Sequence, residues 1–311
     1  MENQTIRFEQ VNETHIEAIR RLFSQVFKKS ISEVTIRNKF ESFTEEKEWI
    51  AFIAFAGDEP VAYTGCIVTT IIYKEQRVLS GQLVDSMTSP AFVSKGLFTI
   101  IVKKIIEQAG IKGISFVWGL ANQNSEAVVT KKVDFGYQYR FTAFSLPSGE
   151  SFLSKLLTKI NKETATKKAV NVLEQFEQTD VFKGSLNSNQ ERVTIEKTPA
   201  YMHYKFKNGS KVYLIEGVKF WINVKTQLLI GDIEYEEKEQ LEKALKTFIN
   251  LVNKHKLGKV YFHAIEPSEI GEVMKSMGAT TINSWSLCYR NISCDFPLEQ
   301  FQVAFGDIDT F

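Results

Sequence analysis

The stretch DSMTSPAFVSKGLFTIIVKKIIEQA, Asp85–Ala109, decides how the chain is read. It runs from the end of a strand pattern through a proline and a polar loop with one glycine. A helix pattern follows that is apolar on nearly every side. A helix start exposes unpaired N–H groups and the positive end of the peptide dipoles. A tight loop placed before it lets those N–H groups surround a phosphate, provided that the loop residues are small enough for the ligand to reach the backbone. Ser94, Lys95, Gly96 and the first helical residues Leu97, Phe98 and Thr99 are so placed. A plain strand-to-helix turn is the competing reading, and on the loop alone it is the commoner one.

The elements on either side alternate. TIRFEQV (5–11) reads as a strand, and Ile16, Ile19, Leu22 and Val26 recur at helical spacing behind a capping-box pair, Thr14 and Glu17. Ser32 caps a second short helix with Ile36, Phe40 and Phe43 on one side. EWIAFIAFA, EPVAYTGCIVTTIIY and QRVLSGQLVDSMT then read as three strands joined by turns at Gly57-Asp58-Glu59 and Lys74-Glu75-Gln76. After the Leu97 helix come a strand GISFVWGL, a helix over about 125–132, and a strand YQYRFTAFSL. From 148 to 190 the chain is polar, with helical spacing in SFLSKLLTKI and AVNVLEQF. The second half repeats the order: strands at ERVTIEK, KVYLIEG, VKFWINV and QLLIGDIEY, a helix with Leu241, Leu245, Phe248 and Val252 in one stripe, a strand GKVYFHAI, a helix SEIGEVMKSMG, and strands TTINSWSLCYR and LEQFQVAF. The expected organisation is an α/β (α+β) chain with a domain at 1–147, a helical connector and loop at 148–190, and a second domain at 191–311. Each domain is a mixed, mostly antiparallel sheet flanked by helices.

Composition narrows the function classes. The chain has 311 residues, long enough for two domains, with 43% hydrophobic and 24% charged residues. A formal charge of +1 leaves no basic footprint for nucleic acid. Cys66, Cys288 and Cys294 are odd in number and far apart, which argues against a disulfide framework and for a reducing compartment. The opening MENQTIRFEQ lacks the basic start and apolar core of a signal peptide, and no apolar run nears the roughly 20 residues that cross a bilayer. A cytoplasmic protein is expected. His15, His203, His255 and His263 have no partner at ligand spacing, so no metal is expected, and Asp307 and Asp309 in GDID read as a turn. Neither G-x-G-x-x-G after a strand nor G-x-x-x-x-G-K-[ST] occurs.

In this context the loop resembles that of the GCN5-related N-acetyltransferase (GNAT) superfamily, V-x-P-x-Y-R-G-x-G-I-G-S. In register it gives Thr88, Pro90, Phe92, Val93, Ser94, Lys95, Gly96, Leu97, Phe98 and Thr99. Downstream, VWGLANQNSEAVVTKKVDFGYQYR supplies Asn122, Asn124, Ser125, Lys131, Lys132 and Gly136-Tyr137 in the family's order. The resemblance covers residues 5 to about 146, and the second half resembles a degenerate further copy, as in tandem bacterial members. Val93 stands where the family has Arg or Gln, Ser94 where it has the first glycine, and Phe98 where it has the last.

The resemblance implies an acyl transfer from acetyl-CoA, or another acyl-CoA, used as co-substrate. Met87 and Thr88 would flank the acyl group. Val93 to Thr99 would hold the diphosphate, with Asn122 and Ser125 beside the cofactor. Asp85 is the candidate base. The family's acid, a Tyr, falls on Val129, so Tyr137 and Tyr139 are its candidate replacements. The second half has no glycine before its matching helix and offers acids there (IEYEEKEQ), so only the first half is expected to bind coenzyme A. The expected partner is a small-molecule acceptor in an interdomain cleft, with neither nucleic acid nor a membrane span. Two readings compete with acyl transfer from coenzyme A: a non-catalytic binder that keeps the fold and, within the enzyme class, an aminoacyl transfer protein of the Fem type.

Overall fold

The computed structural model describes residues 5–40, 49–123, 125–146, 162–186, 191–225 and 227–311. The expected Phe43, Asn124 and the helical stretch SFLSKLLTKI lie outside the described residues. The chain forms two compact units, residues 1–139 with 285–299 and residues 140–284 with 300–311.

The first unit contains β1 (Ile6–Gln10), α1 (Ile16–Phe27), α2 (Glu33–Phe40), β2 (Ile50–Ala56), β3 (Glu59–Tyr73), β4 (Gln76–Thr88), α3 (Leu97–Ile111), β5 (Phe116–Ala121) and α4 (Glu126–Lys132). Antiparallel pairing runs β1-β2-β3-β4, with the two-residue turns at Gly57-Asp58 and Lys74-Glu75 setting the register. β5 then joins β4 in parallel. The strands are apolar on both faces because helices cover both. Ala51, Ile53 and Phe55 pack with Ile16, Ile19, Leu22 and Ile36 of α1 and α2. Ile50, Ala54 and Ala56 pack with Leu97, Ile101, Ile105 and Val129 of α3 and α4. The helical cap before α1 is Asn12, not Thr14. Its Oδ1 accepts from Thr14 N at 3.0 Å while the His15 ring meets Asn12 N at 3.2 Å, because a 3-10 turn at Glu13–His15 moves the start of the helix on by one turn. Ser32 caps α2 as expected, accepting from Thr35 N at 3.0 Å.

The second unit contains α5 (Lys162–Leu173), β7 (Glu177–Thr179), β8 (Val193–Ile195), α6 (Pro199–Phe206), β9 (Ser210–Ile215), β10 (Val218–Val224), β11 (Leu228–Glu234), α7 (Lys238–His255), β12 (Val260–Ala264) and α8 (Glu269–Ser276). Its strands run β7-β9-β10-β11 antiparallel, and then β12 joins β11 in parallel. Leu241, Leu245, Phe248 and Val252 of α7 meet Phe220, Ile222, Leu228 and Ile230 in its main core. LEQFQVAF is not a full strand. Only β14 (Phe301–Gln302) pairs, with β8, and the chain then turns at Phe305–Asp307, where Asp307 Oδ2 accepts from Ala304 N at 2.8 Å.

The remaining strands, β6 (Gly136–Leu146) and β13 (Thr280–Asn291), cross between halves of the sequence. β5 is closed by Ser286–Asn291 of β13, and β12 is closed by Thr142–Leu146 of β6, both antiparallel. The contiguous spans 1–147 and 191–311 are therefore not the compact units: each half lends the other its closing strand. Leu287, fully buried, and Cys288, 2% exposed, belong to this loan. A chain ending at residue 147 would bare the β5 edge and lose those buried side chains, an arrangement that invites edge-to-edge association. We expect it to aggregate or to show no cooperative melt by circular dichroism, and to recover a folded signal when coexpressed with residues 148–311.

Candidate functional site

β4 and β5 stay paired for only three residues each, Ser80–Gln82 with Phe116–Trp118. Both run on, to Thr88 and Ala121, so the two strands part toward their carboxyl ends. A bulge on β4 accompanies the parting: Tyr63 pairs with Met87 and Gly65 with Val84, which leaves Asp85 and Ser86 opposite Thr64. Asp85 takes a left-handed backbone (φ 48°), which costs an ordinary L-residue about 1 kcal/mol or more and suits Asp better than most. Its Oδ2 meets Lys39 Nζ of α2 at 2.5 Å, with both side chains 14% exposed. The expected base is thus tied to a cation.

Ser89 N donates to Val61 O at 2.8 Å. Antiparallel ladders alternate bonded and unbonded pairs, so Met87 turns its N–H to Tyr63 and Thr88 turns its own toward the parted edge. Of the two residues expected to flank an acyl group, Thr88 is the one that can offer an amide. Met87 contributes its buried side chain to the α1–α2 core.

The loop after β4 makes one 3-10 turn at Pro90–Phe92, then passes through two left-handed positions, Ser94 (φ 69°) and Gly96 (φ 75°). Gly96 faces open space, with nothing within 4 Å of where a Cβ would stand. It is the N-cap of α3, no side chain caps the helix, and no acid lies in its first turn. Lys95 N reaches Phe92 O at 3.4 Å and Ile100 N bonds Gly96 O at 3.1 Å; among the described residues no acceptor meets the amides of Leu97, Phe98 and Thr99. Leu97 is buried, while Phe92 and Phe98 pack against the α3 core, so the Phe98 ring does not cross the turn. Val93, 59% exposed, and Lys95, whose Nζ lies 4.2 Å from the Phe92 ring centroid, form the outer lip. The chemistry of this donor set fits a diphosphate: outward amides, a dipole of the right sign and no carboxylate at the helix start.

Asn122 and Ser125 bond each other in the turn that leads into α4, which has no side-chain cap of its own. Asn122 Oδ1 accepts from Ser125 N, and Asn122 N donates to Ser125 Oγ, each at 3.0 Å. Val129, where the resemblance put the acid, is buried in the α3–α4 core. Tyr137 is 52% exposed at the head of β6, and Tyr139, two residues on, is half-buried. One pairing escaped the sequence reading: Glu126 of α4 accepts from the buried Ser286 Oγ at 2.5 Å, beside the end of β5 where Ser286 pairs Ala121. No sequence signal marks it, since the partners are 160 residues apart.

The second unit repeats the parting and closes it. β11 and β12 pair over Leu228–Ile230 and Val260–Phe262 and then separate, with Gly231 bulged out between Ile230 and Asp232. The following helix, α7, starts on Glu237 with Glu239 in its first turn, the wrong charge for a phosphate. The turn at Phe305–Asp307 rests on both strands. Phe305 stacks on His263, ring centroids 4.1 Å apart, and the His263 ring meets Ser284 Oγ at 3.0 Å. Among the described residues no group of three or more His, Cys, Asp or Glu could hold a metal, and no helix is long and apolar enough to cross a membrane.

Comparison with known proteins agrees with this geometry. The family model for an acetyltransferase (GNAT) domain matches residues 7–138. Solved structures share the fold at low identity. A protein of Pyrococcus horikoshii classed as an acetyltransferase has 13% identity and a TM-score of 0.61, covering 98% of this chain and 95% of its own. A GCN5-related N-acetyltransferase from Kribbella flavida has 12% identity and a TM-score of 0.60, covering 92% and 71%. One from Anabaena variabilis has 12% and 0.58, covering 92% and 73%. No curated protein sequence is significantly similar to the chain.

Two buried groups of the second unit make opposite demands on pH. Burial lowers His263 to about 4 from 6.5, so the unfolded chain alone takes up that proton and stability falls as pH drops from 6.5 toward 4. Burial raises Asp232 from 3.8 to about 6, against the pull of Lys197 and Ser185, so the folded chain holds a proton there and stability grows as pH drops through that window. Each effect is on the order of 3 kcal/mol at most, and the two largely offset. Asp232→Asn removes the second. Its melting temperature should fall several degrees more than the parent's between pH 6.5 and 4 in scanning calorimetry.

Proposed function

We propose, from the match of residues 7–138 to the family model for an acetyltransferase (GNAT) domain, that the chain is an acyl-CoA-dependent acyltransferase, acetyl by default, acting on an amine or hydroxyl of a small molecule or sugar. The observation that supports this reading most is the open start of α3: outward amides at Leu97–Thr99 behind a left-handed Gly96, next to strands that have parted. The diphosphate of an acyl-CoA would lie on those amides, with Val93, Ser94 and Lys95 around it and Asn122 and Ser125 beyond. Bound there, the cofactor supplies an acyl group already activated as a thioester. Thr88 N–H, on the parted edge, would polarise the acyl carbonyl, with the gain that preorganised donors give as charge develops on oxygen.

The acceptor's lone pair forms the new bond to the acyl carbon as the C–S bond breaks. The acceptor loses a proton and the thiolate gains one. Positioning carries most of this step, because the thioester needs no covalent enzyme intermediate. Asp85, Tyr137 and Tyr139 are the groups we assign to proton transfer, with Asp85 acting only when its pair with Lys39 opens. The buried, free thiols of Cys66, Cys288 and Cys294 suit a reducing cytoplasm.

A second reading, a non-catalytic acyl-CoA binder, is favoured by the Asp85–Lys39 pair and by buried Val129 at the acid position. Titration calorimetry should give heat with acetyl-CoA and with coenzyme A. Silence at millimolar ligand removes both readings and leaves a donor of another kind, as in Fem-type transfer. Thiol release over a panel of amines separates enzyme from binder. Gly96→Trp should weaken coenzyme A binding at least about tenfold, or ~1.4 kcal/mol; an unchanged Kd would place the diphosphate elsewhere.

A further inference from the structure

We propose that the second unit holds a peptide-binding site where β11 and β12 part, and that the chain's own residues Phe305–Phe311 (FGDIDTF) fill it in cis. The segment lies on the face of the sheet opposite α7, since Ile230 and Phe262 face the α7 core while their neighbours Gly231 and His263 meet the segment. Its contacts are those of a recognised ligand, with polar capture at defined atoms and apolar anchors at either end.

Asp307 is 1% exposed. Its Oδ1 accepts from Lys197 Nζ at 2.6 Å and from Tyr201 OH at 2.8 Å. Two further lysines read the backbone: Lys205 Nζ donates to Ile308 O at 2.9 Å and Lys225 Nζ to Thr310 O at 2.6 Å. Phe305 stacks on His263, and Phe311 meets the Trp221 ring edge-on at 5.1 Å between centroids. Between the anchors the two backbones touch. A Cβ on Gly231 would stand 2.8 Å from Gly306 Cα, and a Cβ on Gly306 would overlap the Trp221 ring. Glycine is required on both the wall and the occupant, the mark of a fitted extended segment rather than of side chains filling a gap. Three cationic side chains directed at one carboxylate and two carbonyls define the ligand class: a peptide bearing Phe-Gly-Asp followed by a second Phe four residues on. A coenzyme A diphosphate has no place here, given Glu237 and Glu239 at the α7 start.

The test uses the full chain. In the parent, hydrogen exchange should show the amides of 305–311 protected, and a fluorescein-labelled peptide of residues 303–311 should not raise fluorescence polarisation at 100-fold excess of protein over probe. Gly306→Val should speed exchange of 305–311 at least tenfold and let the labelled peptide bind, whereas a peptide carrying Asp307→Ala should bind at least tenfold more weakly. If Gly306→Val fails to fold, Asp307→Asn, which removes the charge at constant volume, is read by the same two measurements. The proposal is overturned if the released chain ignores the peptide, if parent and variant bind it alike, or if the variant gains a second equivalent of acetyl-CoA. Heat with acetyl-CoA in the parent reports on the first unit alone, so its absence would sink the acyltransfer reading and leave this one standing.

Discussion

Parallel strands stay side by side only while each supplies the other with donors and acceptors, and β4 and β5 do this for three pairs before they separate. Beyond that point β4 bulges at Asp85, and the amide of Thr88 faces an edge where its neighbour strand has left. Such a donor costs about 1–3 kcal/mol if it is buried without a partner, so a fold that keeps it must give it water or a ligand. The left-handed Asp85, the Lys39 pair that steadies it and the long apolar docking of α3 all serve to hold this parting at a set width. They also bring the uncapped helix start beside it. Donor strip and helix start are two consequences of one broken ladder.

The two units settle the same demand in different ways. In the first, the loop after the parting strand is small and left-handed, and its helix starts without acids. In the second, acids sit at the helix start, and a segment of the chain meets the strands with its own aromatic rings and a buried aspartate. A shared strand order therefore does not carry shared chemistry. The residues that decide are few, Gly96 against Glu237 at the helix start, and Gly231 with Gly306 at the parting of the second unit.

Local signals in the sequence served well where the physics is local. The hairpin turns at Gly57 and Lys74, the stripe on α7, the Ser32 cap and the left-handed loop around Gly96 all depend on neighbours in the chain. What stayed hidden depends on distant partners or on a single turn of helix. Asn12 and Thr14 are equally good caps by composition, and only the 3-10 turn selects the first. β6 and β13 carry similar alternation, so nothing local says which closes which sheet. The bulge at Asp85 leaves no composition mark, because Asp tolerates a left-handed backbone without a glycine. The Glu126–Ser286 pair exists only because β13 comes from the far half. At Phe301–Gln302, an alternating pattern was cut short by the Asp307 carboxylate binding the backbone at Ala304.

The exchange of closing strands has a consequence for how the protein is made. Residues 5–139 leave the ribosome well before Ser286–Asn291, for which the β5 edge waits. At roughly 5–20 residues per second, the intervening stretch takes on the order of ten to thirty seconds to synthesise. Through that interval a nascent sheet with an open, apolar border must be shielded by chaperones or by its own growing chain. Both units then become complete together, once residues 285–311 have been made. A slow codon placed between the halves would prolong the exposure rather than help the first half to finish.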